Sequence, residues 1–147
     1  MKPFSYAAAY VDEETSQMLK SFGLSKSRFH VTTCFDSSAS LAPADIPEAF
    51  EPQSAIISAV SEWATPSGLF LVAELALCPW TAEANAAFLA LGVVEDLPHR
   101  PHVTLIPHCQ PGDGLALQSL IGQKLVFDRH AIFQKLGAAP APTAPKQ

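Results

Sequence analysis

The chain reads "RFHVTTCF" from Arg28 to Phe35 and "RPHVTLIP" from Arg100 to Pro107. Both stretches spell Arg-x-His-Val-Thr. Valine, threonine and the aromatic and apolar residues around them favour extended backbone, so each stretch reads as a strand. Successive side chains of a strand point to opposite faces. Arg28, His30 and Thr32 therefore share one face, and Phe29 and Val31 the other. In the second stretch Arg100, His102 and Thr104 share a face, opposite Pro101 and Val103. Each strand presents a cation, an imidazole and a hydroxyl on one side and apolar groups on the other.

The surrounding sequence repeats as well. "FSYAAAYV" (4–11) reads as a strand and "DEETSQMLKSFG" (12–23) as a helix. Asp12 is its cap, Glu13 and Glu14 suit its positive end, Met18, Leu19 and Phe22 form the apolar stripe, and Gly23 stops it. In the second half "LFLVAELAL" (69–77) reads as a strand and "TAEANAAFLALG" (81–92) as a helix. Here Thr81 is the expected cap, Ala84, Ala87, Phe88 and Leu91 the expected buried face, and Gly92 the stop. Each His-Val-Thr thus follows a strand, a helix and a helix-ending glycine, and recurrence in one structural slot marks an internal repeat. "AIISAVSEW" (55–63) is expected to pair with 69–77 as a hairpin across "ATPSG", and "KLVFDRHAIFQKL" (124–136) supplies a last strand. The Pro- and Ser-rich segment 36–54 reads as a connection. The reading is an α+β domain over residues 1–136 with a mostly antiparallel sheet and a helix in each half, followed by a disordered Ala/Pro-rich tail at 137–147.

Composition narrows the functions. A chain of 147 residues that is 48% hydrophobic can bury a core without disulfides. Its three cysteines, Cys34, Cys78 and Cys109, are widely spaced and form no CxxC pair, which points to a reducing cytoplasm. The N-terminus is a poor signal peptide, and no apolar run reaches membrane-spanning length. The formal net charge is −5 with nine Lys and Arg, so a basic stripe for long nucleic acid is missing. A nucleotide partner would be small and held in a local pocket.

Two histidines facing one phosphodiester suffice for its cleavage. A neutral imidazole takes the proton of the attacking oxygen, and a protonated one gives a proton to the leaving oxygen. Threonine hydroxyls can stabilise charge on the phosphate oxygens. No metal or other cofactor is needed. Arg28 and Arg100 either hold phosphate or are solvated strand ends. A zinc site from His99, His102, His108 and Cys109 has poor chelate geometry on a strand. His130 reads as a surface or strand-partner residue, Trp63 and Trp80 as core residues that could alternatively stack a base, and the cysteines as inert thiols, with Cys34 on the Thr32 face.

Two His-x-Thr motifs, His30-Val31-Thr32 and His102-Val103-Thr104, on repeated strand–helix–strand units resemble the 2H phosphoesterase superfamily. The resemblance covers about residues 4–135 in element order, and its specific part is the two motifs. It implies a bilobal fold of pseudo-two-fold lobes with helices outside, a central cleft, and metal-independent chemistry on phosphodiesters by His30, Thr32, His102 and Thr104. Within the superfamily, "AAAYVDEET" and "HVTTCFDSS" look most similar to phage anti-CBASS enzymes, which degrade the cyclic di- and trinucleotides of bacterial antiviral signalling. That resemblance implies a place in the host cytoplasm and substrate-binding roles for Tyr10 and Asp128, the latter replacing a glutamate of the family pattern. The alternatives are an RNA-end 2′,3′-cyclic or 2′-5′ oligoadenylate phosphodiesterase and an inactive nucleotide-binding sponge.

Overall fold

The computed structural model describes residues 3–46, 50–93 and 99–135. The tail expected at 137–147 lies outside them. Six strands, three α-helices and two short 3-10 turns are present among the described residues; the strands and α-helices are β1 (Phe4–Val11), α1 (Glu13–Lys20), β2 (His30–Asp36), β3 (Gln53–Thr65), β4 (Gly68–Ala76), α2 (Pro79–Leu89), β5 (His102–Ile106), α3 (Asp113–Ala116) and β6 (Lys124–Lys135). None of the helices is long and apolar enough to cross a membrane. The fold is α+β, and every strand pairing is antiparallel.

The strand order is β1-β2-β5-β4-β3-β6, closed by β6 returning to β1. It reads symmetrically outward from β2 and β5. Next come β1 and β4, then β6 and β3, which pair over Gln53–Ile56 and Lys124–Phe127. The β2–β5 seam is a single pair, Val31 with Val103. The face carrying these valines is the core: Ala9, Val31, Ala73 and Val103 pack with Leu19 of α1, Cys78 at the start of α2, and Leu117 and Leu120 beyond α3. Each such leucine contributes about 1.5–3 kcal/mol by leaving water.

Local chemistry explains the elements. Asp12 caps α1 by accepting from the Thr15 N–H at 2.8 Å, as its sequence position predicts. The β3–β4 hairpin is tighter than expected, since Thr65 already pairs with Gly68. The second helix differs from its expected form. It runs Pro79–Leu89 with Cys78 at the N-cap, and Thr81 lies inside the first turn, its hydroxyl donating to the Cys78 carbonyl at 2.9 Å. The buried face is Thr81, Asn85 and Phe88, whereas Leu91 is 59% exposed. The cause is a bulge in β2. Ala7 pairs with Cys34 and Ala8 with Thr32, which leaves Thr33 unpaired. The freed Thr33 carbonyl accepts from Asn85 Nδ2 at 2.9 Å, so a polar residue occupies the helix's inner face.

The same bulge corrects one further expectation. The extra residue turns Cys34 away from the Thr32 side and into a second core cluster with Ala7, Leu41, Phe88 and Ile132. His130, expected at the surface or as a strand partner, is the strand partner: it pairs with Ala9 of β1 and is half-buried. The Thr33 hydroxyl donates to the Ala7 carbonyl at 3.2 Å, so His130 Nε2 at 2.8 Å is the donor to that hydroxyl. Burial lowers the His130 pKa to about 4. At the end of β2, buried Asp36 gathers the following loop, accepting from Ser5 Oγ and from the backbone N–H groups of Ser38, Ser40 and Leu41 at 2.6–3.0 Å. Burial raises the Asp36 pKa, but the hydrogen bonds from Ser38, Leu41 and Ser40 outweigh it and hold the carboxyl well below the usual range.

Candidate active site

The seam pair decides the site. Val31 and Val103 are both fully buried and face each other across antiparallel strands. That register sets His30 across from Thr104 and Thr32 across from His102, all four on the face opposite the core. Opposed residues of such a pair have Cβ atoms about 4.5–5.5 Å apart, and diagonal neighbours about 7–8 Å. His30 and His102 are the diagonal pair. One phosphate group with a hydrogen bond at each end spans that gap. The two imidazoles sense each other: burial, the Lys26 charge and the His102 charge together lower the His30 pKa to about 4.

Each histidine has an aromatic flank. His30 pairs with Tyr10 of β1, its ring 5.3 Å from that of Tyr10 and 6.1 Å from that of Tyr6. His102 lies 4.5 Å from the Trp63 ring. Its Nδ1 is 2.8 Å from the Arg100 carbonyl. A carbonyl only accepts, so Nδ1 carries the proton, and Nε2 is the lone-pair nitrogen of the neutral ring. Burial lowers the His102 pKa and the Arg100 charge adds to this, while the carbonyl bond and Glu74 oppose them.

No family model and no curated protein matches the chain. Arg28 has its guanidinium carbon 5.5 Å from the Tyr10 ring centroid. Arg100 stacks at 4.3 Å on Trp63 and is bound through Nη2 to Glu74 at 3.1 Å. Asp128 sits at a bulge of β6, between the pairs Tyr10–Arg129 and Val11–Phe127. Tyr10, Arg28 and Asp128 line one pocket of about 240 Å³ beside the start of α1. The fold thus brings Tyr10, Arg28 and Asp128 together on the His30 side and puts Arg100 on the His102 side.

Two residues near the histidines, Glu74 and Arg129, have no part in the sequence reading, and a third, Trp63, departs from its expected core position. Trp63 is not in the core but against His102. Trp80 does belong with the core residues, its Nε1 donating to the Ser54 carbonyl at 2.7 Å. Glu74 pairs with His102 across β4–β5 and accepts from Ser61 Oγ at 2.6 Å. The Ser61 bond, against the effect of burial, and then Arg100 lower the Glu74 pKa. Arg129 pairs with Tyr10 and lies 5.2 Å from its ring. The only available signal was alternation, which places Trp63 on the Ser61 side of β3 and Glu74 on the Val72 side of β4. Among the described residues no three His, Cys, Asp or Glu side chains gather where a metal ion would sit.

Proposed function

We propose that the two halves are lobes of a 2H phosphoesterase-like fold, that the His-Thr face is its central cleft, and that the chain is a metal-independent phosphodiesterase opening cyclic di- or trinucleotide signals, as the anti-CBASS enzymes of phages do in the host cytoplasm. The observation that supports this best is the Val31–Val103 seam, whose register puts both His-x-Thr triplets on one face with His30 diagonal to His102. Tyr10 and Trp63 flank the two histidines as surfaces on which bases stack.

In this mechanism the 2′-hydroxyl of a substrate ribose attacks the adjacent phosphorus. His30 has the lower pKa and is neutral, so it takes the 2′-hydroxyl proton. His102, whose pKa burial also lowers but whose proton the Arg100 carbonyl and Glu74 help to retain, protonates the departing 5′-oxygen. The P–O5′ bond breaks as the P–O2′ bond forms, leaving a 2′,3′-cyclic phosphate. Water then attacks with the roles reversed: His102 takes the water proton and His30 returns one to O2′. Thr32 and Thr104 donate to the non-bridging oxygens, where charge accumulates.

The test is incubation in EDTA with 3′,3′-cyclic dinucleotides, 2′-5′ oligoadenylate and RNA ending in a cyclic phosphate, followed by product analysis. The expected result is opening of the cyclic dinucleotide, with His30→Ala and His102→Ala each reducing the rate about 10²–10⁴-fold while the circular dichroism is unchanged. Cleavage of only the other two substrates favours an RNA-end or oligoadenylate enzyme. Binding without products favours a sponge. Full activity in either histidine variant contradicts the mechanism.

A further inference from the structure

The chain has three arginines, and all three guanidinium groups lie against rings that flank the histidines: Arg28 and Arg129 against Tyr10, and Arg100 against Trp63. Their charges are used differently. Arg100 is matched by Glu74. Among the described residues, neither Arg28 nor Arg129 forms an ion pair. Two like charges are therefore held beside one ring, in an acidic protein of few cations, with no carboxylate in contact with either.

Both arginines line the pocket that opens next to Tyr10. Three carboxylates, Asp12, Glu13 and Asp128, share the pocket and keep their charges. None of them lies within ion-pair distance of either guanidinium; Asp12 accepts from the Thr15 N–H and Glu13 from Gln17 Nε2, so both point along α1. The guanidinium donors of Arg28 and Arg129 are thus left without a carboxylate partner. At about 240 Å³ the pocket holds several waters' worth of space, enough for a phosphate and its ribose. Forked guanidinium donors match phosphate oxygens bidentately.

We propose that Arg28 and Arg129 form a second anion subsite that holds a non-scissile phosphate of the substrate while His30 and His102 work on the scissile one. The inference rests on the phosphodiesterase reading and sharpens it. The substrate carries at least two phosphates, and the nucleotide beyond the reacting one lies on the Tyr10 side of the site, because on the Trp63 side Glu74 already neutralises the arginine. A cyclic mononucleotide would fill only half of the site.

The experiment is a calorimetric titration in EDTA with two deoxydinucleotides, pdApdA and dApdA, which lack the attacking 2′-hydroxyl and are not consumed. The wild-type protein is expected to bind pdApdA at least tenfold more tightly than dApdA, because only the former supplies a second phosphate. The double variant Arg28→Gln/Arg129→Gln, altered at two exposed positions, is expected to lose that gap. Equal binding of the two ligands by the wild type, no binding of either, or a gap that survives in the variant overturns the subsite. Failure of the phosphodiesterase reading is read separately: a protein that keeps the gap but leaves ribose-containing cyclic dinucleotides intact has the subsite without the chemistry.

Discussion

Lowering the pH from 6.5 to 4 should destabilise the fold through its buried histidines. His30 and His130 both have pKa values lowered to about 4, mainly by burial, against about 6.5 in an unfolded chain. Between those values the unfolded state binds protons that the folded state refuses. Stability is thus fully present above pH 6.5 and is lost as pH falls towards 4. Each fully shielded group would lose about 1.4 kcal/mol per pH unit. Both rings are partly exposed, so we halve this and expect about 3–4 kcal/mol in total across the window, a sizeable share of the ~5–15 kcal/mol of a typical domain. His102 is shifted in the same direction and adds to the loss. The depressed carboxyls act lower, since Asp36 contributes stability that disappears only below about pH 4. Urea unfolding at pH 7.5, 6, 5 and 4.5 measures the slope. The variant His130→Gln retains a donor for the Thr33 hydroxyl but cannot titrate, so it should flatten roughly half of the slope. Stability that is level or rises as the pH falls, or a wild-type slope in His130→Gln, refutes the reasoning.

Further outcomes follow from the same residues. The pH profile of kcat/KM for a cyclic dinucleotide should be bell-shaped, with an acid limb near 4 from His30 and an alkaline limb below 6.5 from His102; limbs both above 7 would contradict the assignment of base and acid. Asp36→Asn places an amide where several N–H and hydroxyl donors converge and should cost about 3 kcal/mol in urea unfolding at pH 7; a loss under 1 kcal/mol would mean the loop is held by something else. Glu74→Gln removes the carboxylate that supports the His102 proton and should move the alkaline limb to lower pH, with unfolding little changed; an unmoved limb would detach Glu74 from His102.

Much of the frame was legible because it depends on neighbours in the chain. Alternation gave β1, β2 and β5, and the Asp12 cap and Gly23 bounded α1. The repeat marks the two His-x-Thr strands as equivalent, but the pairing of Val31 with Val103 is seen only in the fold. What escaped notice depends on distant partners. An apolar count assigned α2 the face of Ala84, Ala87 and Leu91, because it cannot see that Asn85 is satisfied by a carbonyl 52 positions earlier. That carbonyl is available only through the Thr33 bulge, which has no glycine or proline to announce it. The bulge also redirected Cys34. Trp63 reads first as core and only alternatively as a stacking surface, because a tryptophan lying against an imidazole and one in a core look alike in a strand. Glu74 became visible only once β4 lay beside β5. Short α3, a single turn flanked by Gly112 and Leu117, carries too few residues for any periodicity.

The central claim is that one phosphate meets both imidazoles. Nitrogen NMR of the histidine side chains, recorded while titrating a cyclic dinucleotide whose 2′-hydroxyls are replaced by hydrogen, tests it directly. The resonances of His30 and His102 should move together with a single dissociation constant, and one ring should gain a proton as the phosphate binds. Saturation that shifts only one of the two rings, or neither, would contradict the account.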